Sequence, residues 1–244
     1  MKIMSYNIQH GVGLDNILSL ERIAKTMRDS EAEIIGIQEV DRFYGERSNF
    51  EDQAKRLAKL LDYHYAYGPN IQLEPLDGQV EKRQYGLATL SKHPIAGSKN
   101  IELSSYGQEQ RGVLSVTIHV NGVSLNIFNT HLGLDGTSRM TQVKELINIT
   151  SNYRGPKVLL GDFNADPNSE ELQYLLNQTD LVDSFQQIKN AYTFPAVDPV
   201  QRIDYIFTSS EIKHSNQKVL QHAGSDHLPI VAELLIENNN LATE

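Results

Sequence analysis

Short apolar runs alternate with helical stretches along the whole chain, and this alternation limits the fold more than any other feature. Lys2–Ile8, Ile34–Val40, Leu87–Ser91, Val113–Val120, Val123–Asn129, Val158–Gly161, Ile203–Thr208 and Ile230–Ile236 read as strands, several rich in β-branched residues. Asn121-Gly122 separates two of these runs; both residues tolerate positive φ, so the flanking strands form a hairpin. In the first of the pair, Leu114, Val116, Ile118 and Val120 alternate with Ser115, Thr117 and His119, giving one covered and one more polar face. Helical spacing groups Ile17, Leu20, Ile23, Ala24 and Met27, then Phe50, Ala54, Leu57, Ala58 and Leu61, then Met140, Val143, Leu146, Ile147 and Thr150. A shorter helix spans about 169–177 with Leu172, Leu175 and Leu176 inward. Ser48 with Glu51, and Asn168 with Glu171, have the spacing of capping boxes. Residues 64–84 and 104–111 show no period and read as surface loops. Hairpins mixed with helical crossovers imply an α/β chain whose sheets carry helices on their outer faces. No repeat, linker or composition shift divides the chain, so residues 1–244 are expected to form one domain.

The apolar runs end on chemistry. Asn7 closes the first, Gln38-Glu39 the second, and Asn129-Thr130-His131 the second hairpin strand. Leu159-Leu160 runs into Gly161-Asp162-Phe163-Asn164, Asp204 sits between Ile203 and Tyr205, and Ser225-Asp226-His227 precedes the last strand. A carboxylate inside an apolar strand needs partners, because burying a charge unpaired is costly. Strand ends are also where a rigid scaffold holds a site, so these groups are expected to converge. Their types suit metal-assisted phosphoester hydrolysis. Glu39 offers hard oxygens for Mg²⁺, with Mn²⁺ as a substitute, and amide oxygens and water complete such a shell. The His227 imidazole needs a carboxylate from another strand, Asp204 or Asp162, to orient it. His10, His64, His93, His119, His214 and His222 are assigned to the surface or to structure.

Composition narrows the class further. The chain has no cysteine, which removes disulfides, thiolate metal sites and cysteine nucleophiles. The residues after Met1 lack the apolar core of a signal peptide, and no run is long enough to span a bilayer. A cytoplasmic monomer is expected. The net charge of −9 argues against a non-specific nucleic-acid binder, whose affinity comes from a basic stripe. A nuclease would need a positive groove assembled by folding from Lys82, Arg83, Lys92 and similar loop residues.

With these residues in hand, the chain resembles the endonuclease/exonuclease/phosphatase superfamily. The resemblance rests on "MSYNI", "IIGIQEVD", "NTHL", "LLGDFNADP", "RIDYIF" and "SDHLPI", which occur in the family's order between residues 3 and 235. It implies a four-layer α/β sandwich, two mixed sheets face to face with helices outside, and an active site at one end of the sheets. It further implies a divalent-metal-dependent phosphoesterase, with Glu39 as the principal metal ligand, Asn7 beside the metal or its bound phosphate, and Asp226 near the metal or its waters. Asp162 would orient or deprotonate the attacking water, Asn164 would donate to the phosphate, and His227, held by Asp204, would be the catalytic imidazole. His131 in "NTHL" resembles the branches in which a histidine contacts the phosphate, and Arg111 matches an arginine aimed at the same region. The opening stretch resembles small bacterial hydrolases and the C-terminal domain of proteins of GPI-anchor lipid remodelling. Leu87 departs from the family, where a small or amide residue follows the glycine. The expected substrate is a small-molecule, lipid-derived or sugar phosphate; a DNA or RNA endo- or exonuclease is the alternative.

Overall fold

A computed structural model describes residues 1–236; residues 237–244 of the expected 1–244 unit lie outside the described residues. Two mixed six-stranded sheets are stacked. The first runs β11 (Lys213–Val219), β12 (Ile230–Leu235), β1 (Lys2–Asn7), β2 (Ile34–Arg42), β4 (Arg83–Ser91), β3 (His64–Leu73). The second runs β5 (Ile95–Leu103), β6 (Arg111–Val120), β7 (Val123–His131), β8 (Lys157–Asp162), β10 (Asp204–Ser209), β9 (Leu181–Asp183). Helices α1 (Leu20–Ser30) and α2 (Gln53–Leu61) cover the first sheet, and α3 (Gly136–Ser151) and α4 (Glu170–Gln178) cover the second. The four-layer α/β sandwich is therefore the observed architecture. Among the described residues, no helix is long and apolar enough to cross a membrane.

Three apolar layers follow from the two-residue period of the strands. Ile3, Ile34, Leu114, Ile127, Val158, Leu160 and Ile206 point inward and form the seam between the sheets. Met4, Tyr6, Ile35 and Ile37 point outward onto α1 and α2, while Phe128, Leu159, Tyr205 and Phe207 point onto α3 and α4. The seam is tightest where glycine faces it: a Cβ on Gly36 would lie 2.1 Å from Leu160 Cδ1. One residue after Leu160, Gly161 has φ 141° and passes so close to β7 that a Cβ would sit 1.9 Å from the Thr130 carbonyl oxygen. Gly161→Ala is expected to lower unfolding free energy by about 2–4 kcal/mol, read from denaturant midpoints; a loss under about 0.5 kcal/mol would contradict the contact.

Several sequence expectations need correction. Residues 64–84 are not one loop: β3 and the start of β4 leave only 74–82 irregular, and Arg111 opens β6 rather than closing a loop. The inward positions of β3 are Ala66, Gly68 and Asn70, too small or polar to show an apolar period. Ile17 lies before α1 and is 59% exposed, because Ser19 is the cap, its Oγ accepting from Arg22 N at 3.2 Å. The Ser48–Glu51 box does not form; Asp52 caps α2 through Lys55 N at 3.0 Å, leaving Phe50 outside the helix. Asn168 likewise yields to Ser169, whose Oγ accepts from Leu172 N at 3.4 Å. Asn121-Gly122 turns β6 into β7 with φ of 50° and 79°, as its chemistry demands.

Candidate active site

The inward register that buries Ile3, Ile127, Leu160 and Ile206 also delivers Asn7, His131, Asp162 and Asp204 to the seam. β7 and β8 run parallel with His131 opposite Asp162, and β10 runs antiparallel with Asp204 opposite the same Asp162. Glu39 arrives differently. The β2–β4 register slips by one between Ile37 and Val40, and Glu39 takes a left-handed φ of 59° within that bulge. Such bulges re-aim side chains beside active sites.

Asn7 ties the acids together, its Nδ2 donating to Glu39 Oε1 at 3.1 Å and to Asp162 Oδ2 at 3.0 Å. Its Oδ1 accepts from Gln9 N at 3.1 Å, so both amide hydrogens and one oxygen lone pair are used within the protein. Asp162 Oδ2 also lies 3.4 Å from His131 Nε2 and 3.6 Å from His227 Nε2, while Oδ1 accepts from Asn164 N at 2.9 Å. Asn164, at φ 48°, gives one amide hydrogen to the Leu132 carbonyl at 3.0 Å and keeps the other. Arg111 Nη1 donates to His131 Nδ1 at 3.0 Å and lies 2.7 Å from Glu109 Oε1. Because arginine only donates, His131 Nδ1 accepts and its Nε2 carries the hydrogen. His227 Nδ1 bonds Asp204 Oδ2 at 2.9 Å, and its ring packs 4.9 Å from that of Phe194. Asp226 is half-buried, within 3.3 Å of Ser225 Oγ, with its charge facing Glu39 and His227. All nine residues singled out in the sequence thus stand at one end of the sandwich. The wall beside them, Tyr44, Arg47 and Tyr85, had no signal beyond the tyrosine-rich spacing of its segment.

Burial pushes the Asp162 carboxyl up, His227 pulls it back, and Asp204 adds to the rise. Burial disfavours the His227 imidazolium, but Asp204 and Asp162 outweigh it and hold the ring charged, its pKa raised. His131 is pushed far down by burial, then by Arg111 and His227, and stays neutral. Glu39 is raised chiefly by burial; Asn7 lowers it, Asp226 raises it, and His227 and Arg111 lower it.

This arrangement suits a divalent cation. Glu39 and Asp226 are hard oxygen donors whose charges repel one another, and Glu39 has a lone amide hydrogen bond to relieve its burial. Asp162, Asp204 and His227 form a second group compatible with a metal, with ligand atoms within 4.8 Å of one another. There, however, Asp204 and His227 already satisfy each other through a proton. The Glu39 side fits the better of the two.

The molecule is thus a face-to-face α/β sandwich with an amide-bridged pair of acids and two imidazoles at one end. The chain belongs to the endonuclease/exonuclease/phosphatase family, whose profile matches residues 4–227. Members of this family are phosphoester hydrolases. The Escherichia coli K12 protein YbhP is 27% identical over 250 residues, spanning 96% of this chain and 95% of its own length. An endonuclease/exonuclease/phosphatase structure from Beutenbergia cavernae DSM 12333 shares 25% identity at a TM-score of 0.83, covering 98% of this chain and 72% of that one. The mannosyl-6-phosphatase Bt3783 of Bacteroides thetaiotaomicron VPI-5482 is 21% identical with a TM-score of 0.73, covering 97% and 100%. That last likeness speaks for the fold alone.

Proposed function

We propose that the chain is a divalent-metal-dependent phosphoesterase acting by in-line attack of water on a small-molecule, lipid-derived or sugar phosphate. The observation that carries this reading is the Asn7 amide bridging Glu39 and Asp162, with both imidazoles grouped on the same Asp162 oxygen. Glu39 and Asp226 would hold Mg²⁺ or Mn²⁺, with Asn7 beside it. When bound, the cation supplies charge neutralisation at the phosphoryl oxygen and the departing alkoxide. Asp162, made more basic by burial, takes the proton of the attacking water. Neutral His131 offers its Nε2 hydrogen, Asn164 its remaining amide hydrogen and His227 its charged ring to the oxygens that gain charge. Arg111 fixes the His131 tautomer and adds positive charge, and Asp204 orients the His227 ring.

The surface favours this reading over a nuclease. Lys92 follows the end of β4 opposite the site, since Ser91 pairs with Ile34 while Arg83 and Gln84 lie at the Arg42 end. Lys82 faces Glu74 at 3.6 Å and Arg83 donates to the Tyr44 carbonyl. The expected cationic groove is therefore not continuous. With Mg²⁺ or Mn²⁺, the protein is expected to hydrolyse p-nitrophenyl phosphate, bis-p-nitrophenyl phosphate or a sugar phosphate, to stop with chelator, and to leave supercoiled plasmid intact at the same concentration. Rapid, salt-sensitive nicking would contradict the small-substrate reading.

A further inference from the structure

One wall of the site is built from residues that this chemistry leaves unused. β2 and β4 pair Asp41 with Tyr85 just beyond the Glu39 bulge. Asp41 is fully buried, and its carboxylate accepts from Arg47 Nε at 2.9 Å and Nη2 at 2.8 Å. So held, the Arg47 guanidinium lies 4.2 Å from the Tyr44 ring centroid and 5.4 Å from that of Tyr85. Arg83 covers Tyr44 at 5.6 Å. Tyr85 is 8% exposed, yet among the described residues its hydroxyl has no hydrogen-bond partner. Glu39, Glu109, Arg111 and Arg47 are the charges close enough to act on it, and its pairing with Asp41 sets it two residues along the strand from Glu39.

His10 completes the wall. Gln9 and His10 have left-handed φ of 44° and 43°, a conformation that costs on the order of 1–3 kcal/mol per residue outside glycine. Fully buried Gln53 holds it, donating to the His10 carbonyl at 2.7 Å and accepting from Asp41 N at 2.9 Å. The half-buried His10 ring faces Arg47, Asp41 and Asp226 and, among the described residues, has no hydrogen-bond partner. The left-handed backbone thus presents a ring that, among the described residues, nothing in the protein satisfies.

The chemistry of the wall selects its ligand. The Tyr44 ring already carries two guanidinium groups and Tyr85 shares one of them, so a nucleobase finds no free platform to stack on. The Arg47 charge is neutralised by Asp41, and Glu39, Glu109 and Asp226 stand nearby, which disfavours a second anionic substituent. Arg83 is held on the Tyr44 carbonyl, and the groups left to satisfy, His10 and Tyr85, are hydrogen-bonding side chains rather than fixed charges. We infer that His10, Arg47 and Tyr85 form a leaving-group subsite for a neutral, hydroxyl-rich alcohol, a sugar or polyol. This inference rests on the phosphoesterase reading above.

The test compares kcat/KM with Mg²⁺ for a hexose 6-phosphate, glycerol 3-phosphate and a myo-inositol monophosphate against p-nitrophenyl phosphate and a nucleoside 5′-phosphate. In Tyr85→Phe, the ratio of hydroxyl-rich ester to p-nitrophenyl ester is expected to fall about tenfold, the effect of one lost hydrogen bond. His10→Ala is expected to lower the same ratio. The arm with the larger fall separates a sugar from an open-chain or cyclic polyol. An unchanged ratio in both variants, or a nucleoside ester preferred by the parent protein, overturns the subsite. If no ester is turned over, the phosphoesterase reading fails separately, and calorimetric binding of the same esters decides. Weaker binding to Tyr85→Phe supports the subsite, and equal binding overturns it.

Discussion

His227→Ala is expected to lower kcat by about 10²–10⁴-fold, the range of a positioned proton donor or acceptor. The ring is fixed three ways: by Asp204 at Nδ1, by the Phe194 ring on its flank, and by Asp162 beyond Nε2. Alanine removes the positive charge that two buried carboxylates share. Burial already raises the Asp162 carboxyl and His227 is what lowers it, so without the ring Asp162 takes up a proton instead of remaining charged, and the fold survives with a lower melting temperature. Steady-state kinetics at saturating substrate, with a circular-dichroism melt of the same sample, checks both halves. An unchanged kcat would remove His227 from the mechanism.

Glu39→Gln is expected to have two opposite effects. Metal affinity should weaken by more than the about 10–100-fold that outer-shell substitutions cost, because a half-buried anionic ligand is lost. The metal-free protein should instead gain stability. Folding raises the Glu39 carboxyl above its ordinary value, mainly by burying it, so the charged form costs folding free energy at neutral pH. Glutamine keeps the oxygen that accepts from Asn7 and removes that penalty. Melting curves with chelator and with Mg²⁺ test this directly: the variant should melt higher than the parent without metal and gain less from it. A variant that melts lower in chelator and gains equally from Mg²⁺ would contradict the assignment.

The central strands were legible in the sequence because two buried faces write a nearly continuous apolar run, as in Ile34–Val40 or Val158–Gly161. The edge strands were not. β3, β5, β9 and β11 close the four sheet edges; β9 is only three residues long, and the others carry exposed polar residues of the kind that block further pairing. β11 reads Lys-His-Ser-Asn-Gln-Lys-Val, with no alternation to detect. The polar strand ends were readable for the complementary reason, since Asn7, Asp162 and Asp204 continue an inward register that is otherwise apolar. Glu39 fell in the same pattern although a bulge, invisible in sequence, aims it. Arg47 escaped notice, and His10 was set aside with the surface or structural histidines, because their placement depends on Gln53 and Asp41, contacts made across loops that carry no period.

The most direct test of the account is the anomalous scattering of a Mn²⁺-soaked crystal. The peak is expected within about 2.0–2.6 Å of a Glu39 carboxylate oxygen, on the Asp226 side, with the Asp204–His227 hydrogen bond intact. A peak lodged among Asp162, Asp204 and His227, with Glu39 out of reach, would contradict it.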